Sequence, residues 1–205
     1  MHEQNTQSSF DFANRRMHRQ SSRFGKDNLF FAILPDPDAC QACLEIQARL
    51  QREHGGLLSP LSPERLHVSL YGVASAAKIK DEMIFAACQA ASAVNACRFD
   101  LSFDHVATFR TASRNAIVLS GNGGRELLRQ LHIRIGIEMN AIGCDPYVKA
   151  DFQPHATLFY ADETVAKTVL AAPVVMPARE FVLLHKRRGE PTYEPVASWP
   201  LRERG

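Results

Sequence analysis

Apolar and polar positions change their period several times along the chain, and each change marks an element. Asn28–Leu34 (NLFFAIL) is a short apolar run of the kind a buried strand shows. Asp36-Pro37 then offers an N-cap with proline at the first helical position. Ala39, Cys43, Ile46 and Leu50 form one helical face, which Gly55-Gly56 ends. After a proline-punctuated loop (LLSPLSPER), Leu66–Val73 (LHVSLYGV) reads as a strand. Ile79, Met83, Ala86, Ala90 and Val94 return to helical spacing, and Phe99, Leu101 and Phe103 alternate as in a half-buried strand.

The second half runs through a similar order. Ala116–Leu119 reads as a strand, and Leu128, Leu131, Ile135, Met139 and Ile142 as a helix closed by Gly143. The strand His155–Tyr160 (HATLFY), a short helix ended by Pro173, and the strands Phe181–His185 and Tyr193–Leu201 follow. Each half thus reads strand–helix–strand–helix–strand, a repeat of pattern and not of identity. The expected fold is α+β and bilobal: two pseudo-symmetric lobes, antiparallel sheets lining a central cleft, helices outside. Residues 28–205 make up this domain, and residues 1–27 are a flexible polar extension carrying Arg15, Arg16, Arg19, Arg23 and Lys26.

Two tetrapeptides occupy equivalent places in the halves. His67-Val68-Ser69-Leu70 and His155-Ala156-Thr157-Leu158 share the form H-x-[ST]-L, and no other of the eight histidines fits it. In a strand, residues i and i+2 point to one face, so each tetrapeptide presents an imidazole beside a hydroxyl. Val68, Leu70, Ala156 and Leu158 anchor the opposite face in the core. Two such strands across a cleft supply what metal-free cleavage of a phosphodiester needs. A neutral histidine takes a proton from water, a protonated one gives a proton to the leaving oxygen, and hydroxyls hold the non-bridging oxygens. Two buried histidines, each bonded to its hydroxyl neighbour, are the structural alternative.

Composition narrows the reading. Hydrophobic residues make up 45% and charged residues 22%, as in a globular chain, and a net charge of +2 is too small to argue for nucleic-acid binding by itself. No apolar run is long enough to span a bilayer, and five scattered cysteines argue against a disulfide framework, so a cytoplasmic location is expected. No H-x-H or H-E-x-x-H grouping stands as a zinc site; Asp151 alone does not complete one. No metal or cofactor is expected. Weaker candidates lie outside the motifs. His185-Lys186-Arg187-Arg188 reads as a solvated hairpin tip in preference to a contact to a substrate backbone, and Tyr193 and Trp199 as core. Arg110, after the long strand, has similar standing as a substrate contact.

The paired motifs resemble those of the 2H phosphoesterase superfamily, in particular the branch of RNA 2′,3′-cyclic phosphodiesterases, or 2′-5′ RNA ligases. LFFAILPD, PERLHVSL, FQPHATL and YEPVASWPL extend the likeness over roughly Leu29 to Leu201. The resemblance implies a bilobal fold and hydrolysis of a 2′,3′-cyclic phosphate, on an RNA end or a nucleotide, to a 2′-phosphate, with 2′-5′ ligation as a side activity. It makes His67 and His155 the catalytic pair, with His155 as base and His67 as acid, and Ser69 and Thr157 the phosphate-binding hydroxyls. The chain departs from the pattern at Tyr160, where many bacterial members carry a basic residue; the tyrosine is a candidate to stack on a base or bond the phosphate. A monomer without membrane contact is expected. A non-catalytic nucleotide- or RNA-binding module of the same fold is the alternative function.

Overall fold

The computed structural model describes residues 25–55, 58–111, 114–144 and 153–203. Most of the expected N-terminal extension, and Asp151, lie outside them. The elements are β1 (Asp27–Ile33), α1 (Pro37–Glu53), β2 (Val68–Ala76), α2 (Asp81–Ala93), β3 (Phe99–Phe109), β4 (Asn115–Ser120), α3 (Arg125–Ala141), β5 (His155–Ala161), β6 (Thr168–Ala178), β7 (Glu180–Lys186) and β8 (Glu194–Pro200). The predicted cap of α1 is in place, with Asp36 Oδ1 accepting from the Ala39 amide at 2.9 Å and Pro37 opening the helix.

The strands form one antiparallel sheet in the order β6-β3-β4-β5-β2-β1-β7-β8. Its halves, β8-β7-β1-β2 and β5-β4-β3-β6, are the two expected lobes. They are continuous with each other, since β2 and β5 share the single antiparallel pair Val68↔Ala156. The β1-α1-β2 unit of one half corresponds to the β4-α3-β5 unit of the other. Helix α1 packs on β5 and β6, and α3 on β2 and β3, so each helix covers part of the opposite half. The histidine strands are the central pair, as pseudo-two-fold symmetry requires.

One expected element is absent. No helix lies between β5 and Pro173; Thr168–Ala178 is the edge strand β6. Proline removes a ladder donor, which a central strand cannot spare but an edge strand can. Pro173 and Pro177 therefore fit β6, and Leu170, Val174, Met176 and Ala178 are its buried residues.

The two faces of the sheet differ. Leu29, Phe31, Ile33, Val68, Leu70, Ala156 and Leu158 belong to the large core under the helices, as strand alternation predicts. Phe30, Ala32, Val182 and Leu184 form a small cluster on the other face, with Tyr193 against it. Gln47 is the buried polar group that ties the site together. Its Nε2 donates to the carbonyls of Leu61 and Leu158, both at 2.9 Å, and the Leu61 amide donates to the Leu158 carbonyl at 2.8 Å. The loop leading to His67 is thereby fastened to the strand of His155. Among the described residues no helix is long and apolar enough to cross a membrane.

Candidate active site

The open face of the sheet centre is a cleft of about 190 Å³ lined by Asn28, Phe30, His67, Ser69, His155, Thr157, Tyr160, Lys186 and Tyr193. All four motif residues meet there. The pair Val68↔Ala156, continued in antiparallel register, sets His67 against Thr157 and Ser69 against His155. Each imidazole thus has a hydroxyl on its own strand and one across from it.

The anchoring of the two rings repeats in detail. His67 Nδ1 lies 2.8 Å from the Arg65 carbonyl, and His155 Nδ1 lies 2.9 Å from the Gln153 carbonyl, both two residues back. A carbonyl only accepts, so each Nδ1 carries the proton, and Nε2 is the acceptor of the neutral ring. The Ser69 hydroxyl, 3.0 Å from His67 Nε2, donates to it. Each ring also has an aromatic neighbour: Phe30 at 5.3 Å from His67, Phe109 at 5.1 Å from His155. Tyr193 stands edge-on to His67 at 5.2 Å and to Phe30 at 5.5 Å.

Burial pushes the His67 pKa down to about 4, against the pull of the Arg65 carbonyl and with help from the charges of His155 and Arg65. His67 is therefore neutral at pH 7. The phenol of Tyr160 is raised by burial and by Tyr193; its hydrogen bond with the Thr157 side chain and the charge of Arg65 oppose the rise.

Tyr160 lines the cleft, but Arg110 is exposed at the end of β3 and does not. From the run His185–Arg188 only Lys186 reaches the lining, beside its register partner Asn28. His185 is buried on the opposite face, 3.5 Å from Asp27, and Arg187 pairs with Glu194. Tyr193, expected in the core, is a half-buried wall of the cleft. Asn28 and Phe30 join the lining from β1 by i, i+2 spacing; Phe30 lies in the LFFAILPD segment, but nothing in that segment marks it as a site residue. Among the described residues no three His, Cys, Asp or Glu side chains stand together as metal ligands.

The fold is shared with solved structures. Escherichia coli LigT in apo form superposes with a TM-score of 0.67 at 19% identity, covering 87% of this chain and 99% of that one. LigT complexed with phosphate gives 0.66 at 20% identity, with the same coverage. TT0787 of Thermus thermophilus gives 0.67 at 16% identity, covering 87% of this chain and all of that one. No curated protein sequence matches the chain. The model of the 2′-5′ RNA ligase superfamily matches residues 35–190. With that span, and with both H-x-[ST]-L strands at the centre of a LigT-like sheet, the chain belongs to the 2′-5′ RNA ligase superfamily of 2H phosphoesterases.

Proposed function

We propose that this cleft hydrolyses a 2′,3′-cyclic phosphate, on an RNA end or a nucleotide, to a 2′-phosphate. The observation that carries the reading is the matched presentation of two imidazoles, each held at Nδ1 by the carbonyl two residues back and each beside a hydroxyl, in one cleft. Nε2 of one ring takes a proton from the attacking water while the other ring protonates the leaving 3′-oxygen. Ser69 and Thr157 donate to the non-bridging oxygens as their geometry changes, and Lys186 supplies a positive charge.

The family resemblance gives His155 the base role and His67 the acid role. At a pKa of about 4 His67 has no proton to give at pH 7. The negative charge of a bound phosphodiester favours the imidazolium, so substrate binding supplies what the acid needs. Titrating the imidazole resonances by NMR with and without inorganic phosphate should show the His67 pKa rising on binding. A ring that stays neutral would pass the acid role to His155.

Both proton transfers run through imidazoles, and the scheme needs no metal. Turnover of a 2′,3′-cyclic nucleotide is therefore expected to persist in excess EDTA. Loss of activity in the chelator, restored by zinc or manganese, would transfer the site to a metal-dependent hydrolase.

A further inference from the structure

Next to the cleft, over its lining residue Tyr193, lies a guanidinium that the acid–base scheme does not use. Arg65 is half-buried, and its Nε is shut away from solvent with no hydrogen-bond partner among the described residues. Arg98 and Arg129, also half-buried, each bond a carboxylate, and Arg49, whose Nε and Nη2 also lack hydrogen-bond partners among the described residues, still has Glu53 at 3.6 Å. The acid next to Arg65 in the chain, Glu64, bonds the Ser62 side chain instead. What Arg65 has is an aromatic face: its guanidinium carbon stands 5.8 Å from the centre of the Tyr193 ring. Tyr193 in turn lies edge-on to His67, whose Nδ1 the Arg65 carbonyl holds. Among the described residues no carboxylate pairs with Arg65, and a partly desolvated cation without a counter-charge is unfavourable until an anion arrives. Arginine's planar fork also suits phosphate. The charge is already felt in the cleft, since it helps to lower the His67 pKa and opposes the rise at Tyr160.

The size of the cleft indicates where that anion comes from. A volume of about 190 Å³ is below the roughly 300–1,000 Å³ of pockets that enclose a whole small ligand. On the phosphodiesterase reading, a cleft of this size would take the reacting phosphate and its sugar edge, and the rest of a nucleotide would cross the rim.

We propose that Arg65, held over the cleft-lining Tyr193, binds a second anionic group of the substrate: a phosphate on the 5′-oxygen of the nucleoside whose 2′,3′-phosphate reacts. The inference rests on the phosphodiesterase reading of the same cleft. A 5′-phosphorylated mononucleotide and the last internucleotide linkage of an RNA end both place a phosphate there. Arg65 thus distinguishes such substrates from a bare nucleoside cyclic phosphate.

The test is calorimetric binding of three product-like ligands to the full chain: adenosine 2′-monophosphate, adenosine 2′,5′-bisphosphate, and an adenosine dinucleotide ending in a 2′-phosphate. For wild type, one or both 5′-phosphorylated ligands should bind about 10-fold to 100-fold more tightly than the monophosphate, the gain expected of a charge-assisted contact. A gain confined to the dinucleotide identifies the RNA end, and one confined to the bisphosphate identifies the mononucleotide. In Arg65→Gln the ratio should collapse to within about 3-fold, and Arg65→Lys, keeping charge without the fork, should retain part of it. A ratio near one in wild type, a ratio that survives Arg65→Gln, or equal weakening of all three ligands by both variants overturns the proposal. Binding needs no turnover, so absent cleavage of a 2′,3′-cyclic nucleotide would count against the proposed function and leave this ratio to decide the role of Arg65. No binding of any of the three would remove both.

Discussion

Replacing either His67 or His155 with alanine is expected to slow the chemical step by roughly 10²–10⁴-fold, the contribution of a positioned general acid or base. Two features make the expectation symmetrical. Both rings sit at equivalent places of the central strand pair, and both have Nδ1 fixed on a carbonyl, which leaves Nε2 as the reacting nitrogen. Each ring has the other as its imidazole neighbour, but one ring cannot be base and acid in the same step, so neither replaces the other. Removing both should cost much less than the product of the single losses, because the two act as a unit. Ser69→Ala and Thr157→Ala should lose less, about 10-fold to 10³-fold, as hydrogen-bond donors to the phosphate oxygens. Single-turnover rates on a 2′,3′-cyclic nucleotide separate these effects from product release. Near-normal turnover in either histidine variant would end the paired acid–base account.

The largest structural effect is expected at Gly124. This residue precedes α3 with φ of +75°, and a Cβ there would lie 2.2 Å from the carbonyl oxygen of Asp100 in β3. Alanine must therefore both adopt the left-handed conformation, at roughly 1–2 kcal/mol, and push backbone from backbone, at about 1–3 kcal/mol. The combined loss of about 2–5 kcal/mol is a large part of the roughly 5–15 kcal/mol by which domains are stable. Gly124→Ala should lower the urea midpoint sharply or prevent soluble folding. A variant that unfolds like wild type would mean that the β4–α3 turn does not approach β3 so closely.

The centre of the site was legible in the sequence because it is local. In H-x-[ST]-L the strand period alone places His67 with Ser69 and His155 with Thr157 on one face, and sends Val68, Leu70, Ala156 and Leu158 into the core. The walls of the cleft were not legible, because cross-strand register decides them. Lys186 enters the lining through its pairing with Asn28 on β1, and Tyr193 swings in from the turn between β7 and β8. A run such as HKRR does not reveal that one of its cations faces inward and the next pairs with Glu194. Within the sheet the two halves meet through one ladder pair, Val68↔Ala156, backed by the Leu61–Leu158 bond, and no periodicity encodes either. The missing helix before Pro173 failed for another reason. Proline stops a helix and is tolerated in an edge strand, and only the place of β6 at the end of the sheet separates the two cases.

The central claim is that two histidines of this cleft direct water onto a 2′,3′-cyclic phosphate so that the 3′-oxygen leaves. Phosphorus NMR of the products, from an RNA bearing a 2′,3′-cyclic end incubated with the protein in EDTA, tests it most directly. The account predicts conversion to a 2′-phosphate, suppressed by at least about 10²-fold in His155→Ala. A 3′-phosphate product, or conversion that continues at the wild-type rate in that variant, would contradict it.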